Sequence, residues 1–175
     1  NGLDDDCDGD VDERLGDECN GCVPAEESCS GQDDDCDGQI DEGGVCPCPS
    51  VTRAQRVYLI CADARPWQAA REFCDGASFS LASIGDDAED GYLYGQLRAA
   101  GLDDTWIGLN DRQTEEEFVW SNGEPFVYNN WDDGEPNDAR GEDCVIILMS
   151  PPDRVSFWDD RPCDRNYPFI CERGQ

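Results

Sequence analysis

The side chains that could do chemistry in this 175-residue chain are mainly carboxylates, and the most informative group lies between residues 135 and 160. Five oxygen-bearing side chains occur there in short motifs; we call them the primary site: Glu135, Asn137, Glu142, Asp159 and Asp160. Ca²⁺ takes about six to eight oxygen ligands at about 2.3–2.6 Å, from carboxylates and amide carbonyls. Because a solvated acidic loop would have a similar composition, the oxygen donors alone leave both interpretations open.

The charge of the chain restricts its partners. It has 42 acidic residues against 12 basic ones, a net charge of −30, and neither His nor Lys. Nucleic acids and anionic membrane surfaces both require a basic patch, so neither is an expected partner. The lack of His excludes imidazole zinc sites and a histidine general base, and we expect no enzymatic activity. No apolar run is long enough for membrane insertion.

Twelve cysteines predict six disulfides and an oxidising compartment, so we expect a secreted, extracellular or cell-surface protein. Thiolate metal sites are the alternative, but Cys19 and Cys22 form a single Cys-x-x-Cys motif. The sequence does not decide the pairing among six cysteines of the first part of the chain, which are Cys7, Cys19, Cys22, Cys29, Cys36 and Cys46.

The composition divides the chain near Cys48. Residues 1–47 are strongly acidic and contain no aromatic residue, so they cannot bury an apolar core of their own. Residues 48–175 contain every Trp, Tyr and Phe and are long enough to form a folded domain. We therefore predict two segments, 1–47 and 48–175.

The first segment contains an internal repeat, because residues 2–13 return with few changes as 31–42. Each copy has Asp-x-Asp-x-Asp-Gly, which is the first half of an EF-hand loop, but the closing glutamate would fall at Leu15 and Gly44. The repeats resemble MopE-type metal-binding repeats of bacterial surface proteins. A disordered acidic spacer is the alternative. The expected metal ligands are Asp4, Asp6, Asp8, Asp12, Glu13, Asp33, Asp35, Asp37, Asp41 and Glu42.

The second segment has the apolar patterns of an α+β domain. Cys48 and Cys61 bracket a strand at 57–60, which suggests a disulfide-closed hairpin. Pro66 suits the first turn of a helix whose buried face includes Trp67 and Cys74.

A second helix is predicted from Asp86, which with Glu89 forms a capping-box pattern, to Gly101. Its inward residues should be Leu93, Leu97 and Ala100. Short strands follow, and the run 144–149 predicts a strand buried on both faces.

The order of motifs over residues 48–173 resembles the C-type lectin domain in its long form. These motifs are Leu-Ala-Ser-Ile (81–84), Trp-Ile-Gly-Leu (106–109), Glu-Pro-Asn (135–137), Glu-Asp-Cys (142–144), Trp-Asp-Asp (158–160) and Cys-Glu (171–172). The resemblance implies that fold, with two helices, short antiparallel strands and a long calcium-binding loop. It also implies a cis proline in the Glu-Pro-Asn motif and the disulfides Cys48–Cys61, Cys74–Cys171 and Cys144–Cys163.

The resemblance also implies the ligands and the function. The primary site would hold a calcium ion that coordinates two sugar hydroxyls, and the Glu-Pro-Asn form is associated with mannose-type hexoses, which include mannose, fucose and N-acetylglucosamine. A second calcium would use four acidic residues, which we call the second site: Asp111, Glu115, Asp138 and Asp143.

Asp159 departs from the family motif, which has Asn at this position. A carboxylate has no N–H to donate to a hydroxyl, and losing such a bond costs about 1–3 kcal/mol. Two hypotheses therefore remain: calcium-dependent glycan binding, or a calcium-rigidified structural or adhesive subunit that contacts copies of itself or other surface proteins. The MopE-type repeats favour a bacterial surface protein.

Overall fold

The computed structural model describes residues 25–30, 34–35, 43–149 and 156–174. Within these residues the chain forms two helices and eight strands. The helices are α1 (Trp67–Gly76) and α2 (Asp87–Ala100), and the strands are β1 (Ser50–Arg53), β2 (Arg56–Arg65), β3 (Ser80–Leu81), β4 (Thr105–Asn110), β5 (Val119–Trp120), β6 (Cys144–Leu148), β7 (Phe157–Arg161) and β8 (Tyr167–Gly174). The predicted α+β class is confirmed.

The strands form one mixed sheet in the order β1-β2-β8-β4-β6-β7, with β3 paired to β8 and β5 paired to β4. All pairings are antiparallel except that of β4 with β8. The predicted hairpin is present as β1 and β2, and β2 continues the sheet against the final strand, where Leu59 lies opposite Cys171. The first hairpin and the final strand of the second segment are therefore hydrogen-bonded in the same sheet.

Helix α1 begins directly after Pro66, which is its N-cap with ψ 150° rather than a residue of the first turn as predicted, and the main-chain oxygen of Pro66 accepts the N–H of Ala70 at 2.9 Å. Trp67, Ala70 and Cys74 form its buried face. The indole Nε1 of Trp67 donates to the main-chain oxygen of Ile107 at 2.8 Å. This bond fixes α1 against β4 and satisfies the polar end of a fully buried ring.

Helix α2 has the predicted N-cap, because the main-chain N–H of Glu89 donates to Oδ1 of Asp86 at 2.7 Å. The carboxylate of Glu89 does not complete the capping box; it accepts from the main chain of Gly85 and from the hydroxyl of Tyr58. The helix ends at Gly101, which has φ 67°.

The inward face of α2 is shorter than predicted. Leu93 and Leu97 are fully buried, but the prediction that Ala100 faces inward is wrong. Ala100 is exposed because it is the last residue of the helix and the chain turns away at Gly101.

Strand β6 lies at the centre of the core and is buried along its whole length, as predicted. Its side chains alternate between two apolar clusters: Cys144 and Ile146 pack with Trp106, whereas Val145 and Ile147 pack with the second cluster. Since successive residues of a strand point to opposite faces, the sheet has apolar packing on both sides here. This double burial gives the neighbouring strand β7 a rigid support.

Candidate metal centre

The long loop between β5 and β6 carries most of the predicted ligands, and it is fastened along β7. Trp131 forms an isolated parallel bridge with Trp158. The main-chain N–H of Asp132 donates to the oxygen of Trp158 at 2.9 Å, and the N–H of Trp158 donates to the oxygen of Asn130 at 2.8 Å. The loop residues of the primary site are therefore held beside Asp159 and Asp160 of β7.

Asp160 organises the turn around Pro136. Its carboxylate is 1% exposed and accepts two main-chain N–H groups, from Asn137 at 3.0 Å and from Asp138 at 2.8 Å. The peptide bond between Glu135 and Pro136 is cis, in agreement with the expectation from the sequence. A buried carboxylate with two N–H donors fixes the backbone from which the other ligands project.

Three carboxylates of the primary site come together. One oxygen each of Glu135, Asp159 and Asp160 lies within 4.8 Å of the others. Two oxygens bound to one Ca²⁺ on opposite sides are separated by about 5 Å, which is twice the usual ligand distance. Asn137 joins this group through its side-chain amide, which donates to the carboxylate of Glu135. The donor set and its spacing therefore fit a calcium ion.

Glu142, the fifth residue of the primary site, lies outside the group of three carboxylates. Its Oε2 accepts the main-chain N–H of Ala139 at 3.1 Å, and its own N–H donates to Oδ1 of Asp138 at 2.9 Å. Its negative charge nevertheless acts on Arg161, whose pKa is raised chiefly by Asp159 and further by Glu142, against the effect of burial. It therefore belongs to the same electrostatic environment.

Two carboxylates of the primary site, Asp159 and Glu135, have raised pKa values. Burial raises the pKa of Asp159 to about 6; the charges of Glu135 and Asp160 add to this rise, and the Arg161 guanidinium opposes it. Burial also raises the pKa of Glu135, assisted by Asp160. A group of buried carboxylates that disfavours its own negative charge is a favourable environment for a cation.

The second site also assembles. One oxygen each of Glu115, Asp138 and Asp143 lies within 4.8 Å of the others. The fourth residue, Asp111, is 3% exposed, and its main-chain N–H donates to the oxygen of Asp143 at 3.1 Å.

The carboxylate of Asp111 is only half satisfied. Oδ2 accepts the N–H of Glu116 at 2.9 Å, whereas Oδ1 is buried and has no hydrogen-bond partner among the described residues. Burial and the charge of Asp143 raise the pKa of Asp111. Since a buried polar atom without a partner is costly, this oxygen is suited to binding a cation.

Two residues that matter for the geometry were missed by the sequence analysis: Asp90 and Arg161. Asp90 is 1% exposed and connects α2 to the long loop and β7. Its carboxylate accepts from four side chains, which are Tyr128 at 3.0 Å, Asn130 at 2.7 Å, Ser156 at 2.5 Å and Trp158 at 3.2 Å. Its position three residues before Leu93, on the buried face of α2, is the signal that could have identified it.

Arg161, at the end of β7, contacts the primary site directly. Its Nη1 donates to a carboxylate oxygen of Asp159 and to the main-chain oxygen of Asp160, the latter at 2.9 Å. The sequence analysis predicted only acidic and amide side chains at the primary site and did not include this cation, although it directly follows Asp160 in the sequence.

The predicted metal ligands of the repeats lie outside the described residues, except Asp35, whose main-chain N–H donates to Glu27 at 2.9 Å. The structure pairs Cys48 with Cys61, Cys74 with Cys171 and Cys144 with Cys163, the pairs that the family resemblance implies.

A further disulfide joins Cys29 to Cys46, and both cysteines pack against the core. Arg173 donates to the main-chain oxygen of Cys29, so the end of the acidic segment is attached to the domain.

Comparisons with known proteins identify relatives of the second segment. Residues 63–173 match the family model described as "Lectin C-type domain". The low affinity immunoglobulin epsilon Fc receptor of Mus musculus is 36% identical over 132 residues, which cover 74% of this chain and 37% of the receptor. C-type lectin BfL-2 of Bungarus fasciatus is 32% identical over 131 residues, covering 73% of this chain and 82% of that lectin.

A solved structure supports the same assignment of the fold. The cow C-type carbohydrate-recognition domain of CD23, determined in the presence of a GlcNAc2Man3 oligosaccharide, superposes with a TM-score of 0.65 at 32% identity and covers 74% of this chain and 96% of that one. In the described part of this chain, neither helix has the length and apolar character to cross a bilayer.

Proposed function

This chain belongs to the C-type lectin domain family, a non-enzymatic family that includes carbohydrate-binding proteins, and we propose that it binds hexoses through calcium at the primary site. The observation that carries the proposal is the convergence of the Glu135, Asp159 and Asp160 carboxylates to within 4.8 Å. The sequence spans 37% of the mouse receptor, so the activity of a larger parent protein would also be a proposal.

Calcium, when bound, supplies positive charge that coordinates sugar hydroxyl groups. The chain's own residues determine the geometry. Asp160 fixes the turn at residues 137 and 138, while Glu135 and Asp159 contribute carboxylate oxygens within 4.8 Å of its own. These carboxylates also accept hydrogen bonds from the hydroxyls that approach the ion. The second site supports the same loop, because Asp138 takes part in both its carboxylate group and the hydrogen bonds with Asp160 and Glu142.

Mannose-type hexoses are the proposed ligands. The sequence has Glu-Pro-Asn at residues 135–137, the form of the motif that indicates mannose, fucose or N-acetylglucosamine. The related cow domain was determined in the presence of an oligosaccharide containing mannose and N-acetylglucosamine. Several disulfides and the named relatives further support a secreted or cell-surface location.

A glycan array probed with calcium and with a chelator tests the proposal. We expect binding to mannose-type glycans with calcium, and its loss with the chelator. Glu135→Gln should weaken binding because one charged ligand is removed, whereas Glu117→Gln, at an exposed residue outside both sites, should not. Binding that survives chelation, or no hexose binding at saturating calcium, would refute the proposal.

A structural or adhesive role is the second candidate, supported by the attachment of the acidic segment to the domain. Cys29 and Cys46 pack against the core, and Arg173 donates to the main chain of Cys29. MopE-type repeats at residues 1–47, rigidified by calcium, would extend from this joint and contact other copies or surface proteins. Calcium-dependent oligomers in analytical ultracentrifugation would support this role; a monomer at every calcium concentration would oppose it.

A further inference from the structure

Arg161 brings a positive charge to the edge of a site that otherwise consists of carboxylates. It forms an ion pair with Asp159, in which the Asp159 side chain is 5% exposed and the Arg161 side chain 28% exposed. The carboxylate end of the pair is therefore buried, and the guanidinium end can be reached from solvent. The bond from Nη1 to the main-chain oxygen of Asp160 holds the guanidinium in this position.

The primary site has few hydrogen-bond donors without Arg161. A sugar hydroxyl both donates and accepts, whereas ionised carboxylates only accept. The amide of Asn137 donates to Glu135. A guanidinium has five N–H donors in a planar fork, and among the described residues those on Nε and Nη2 of Arg161 form no hydrogen bond with the protein. Arg161 therefore has more unused donors than Asn137, whose amide has one N–H left beside the bond to Glu135.

The ion pair also reduces the net negative charge of the primary site. Four carboxylates are expected there, from Glu135, Glu142, Asp159 and Asp160, and together they repel one another. Arg161 neutralises one of them, so the pair carries the same net charge as a neutral amide at position 159.

We propose that Arg161 is the hydrogen-bond donor of the primary site, and that Asp159 and Arg161 act together as one neutral unit. Asp159 contributes its oxygen to the ion, and the guanidinium of Arg161 donates to a hydroxyl of the ligand. This inference rests on the proposed carbohydrate binding. It removes the difficulty that Asp159 lacks a donor, because the donor comes from the residue two positions later.

The test compares three variants by two measurements. Mannose binding is measured on immobilised mannose at saturating calcium, and calcium binding is measured by calorimetry with calcium alone. Arg161→Ala should weaken mannose binding about tenfold or more, since a charge-assisted hydrogen bond is lost. Calcium affinity of the same variant should stay equal or rise, because a positive charge near the ion is removed.

The double variant Asp159→Asn with Arg161→Ala provides the rescue. An asparagine supplies both an oxygen for the ion and N–H groups for a hydroxyl, so mannose binding should return to within about threefold of the wild type. Arg71→Ala is the charge-matched control, because Arg71 lies on α1 and pairs with Asp75. It should change neither measurement.

Three results would overturn the inference. The first is that Arg161→Ala binds mannose as well as the wild type, and the second is that the double variant binds mannose no better than Arg161→Ala. The third is that Arg161→Ala loses calcium binding and mannose binding together, which would indicate a structural role for Arg161. If the wild type binds no hexose at saturating calcium, the proposed function fails and this inference fails with it.

Discussion

Calcium binding at the primary site should weaken on acidification, because Asp159 must lose a proton to bind the ion. Burial raises its pKa to about 6, well above that of an exposed carboxyl. Above pH 7 the group is ionised and calcium meets no competing proton. Below pH 6 each binding event must displace a proton, so the apparent affinity falls as pH falls.

The size of the effect follows from this pKa. One competing proton divides the apparent association constant by about 2 at pH 6 and by about 11 at pH 5, relative to the fully ionised group. The raised pKa of Glu135 acts in the same direction and should add to the fall in affinity. Asp159→Asn removes the titrating group but keeps an oxygen ligand. Between pH 7 and pH 5, the calcium affinity of this variant should therefore fall by a factor about tenfold smaller than that of the wild type.

Isothermal titration with calcium at pH 7, 6 and 5 measures both proteins. We expect the second site to bind calcium in the same assay, and comparing the wild type with Asp159→Asn isolates the contribution of Asp159. A wild-type affinity that changes less than about twofold between pH 7 and pH 5 would refute the reasoning, and so would the same pH dependence in both proteins.

Three further predictions concern the supports of the site. Asp111→Asn should weaken calcium binding at the second site about tenfold or more in calcium titrations, because a buried carboxylate is lost. Asp90→Ala should lower the free energy of unfolding by about 3–5 kcal/mol, because four side-chain donors lose their acceptor. The measurement is urea unfolding in the presence of a chelator, with Asp87→Ala, at an exposed residue of the same helix, as a control that should change it little. Equal effects of the two substitutions would contradict this prediction. Gly108→Ala should lower the free energy of unfolding by about 1–3 kcal/mol, because its Cβ would lie 2.7 Å from a backbone oxygen. The control Gly95→Ala on α2 places its Cβ where no atom lies within 4 Å and should stabilise the protein, and thermal melts compare the two variants.

Patterns that depend on neighbouring residues could be predicted from the sequence. The start of α1 after Pro66, the N-cap Asp86 and the end of α2 at Gly101 follow from local backbone chemistry. The continuous burial of β6 follows from its apolar run. Each of these features needs only a few adjacent residues to specify it.

Contacts between distant residues could not be predicted in the same way. The capping-box pattern predicts that Glu89 returns to the main chain at the helix start, and one of its oxygens does accept from Gly85, but it did not predict that the other oxygen accepts from Tyr58 on β2. The sequence analysis made no prediction for Asp90, because its four donors come from a strand and loops far along the chain. The two carboxylate groups were predicted through the family motif, since spacing alone does not bring residues 111 and 143 together.

The pair between Asp159 and Arg161 illustrates the same limit at short range. The two residues lie two positions apart on the same face of β7, and whether their side chains meet depends on the rotamers that the surroundings permit. The sequence showed a carboxylate without a donor, and the structure shows a guanidinium beside it.

Titration of methyl mannoside into the protein, with and without calcium, measures whether this domain binds a hexose only together with calcium. At saturating calcium we expect saturable heat with a dissociation constant near the millimolar range, about −4 kcal/mol, and no heat of binding after the calcium is chelated. Equal heats with and without calcium, or no heat at saturating calcium, would contradict the account.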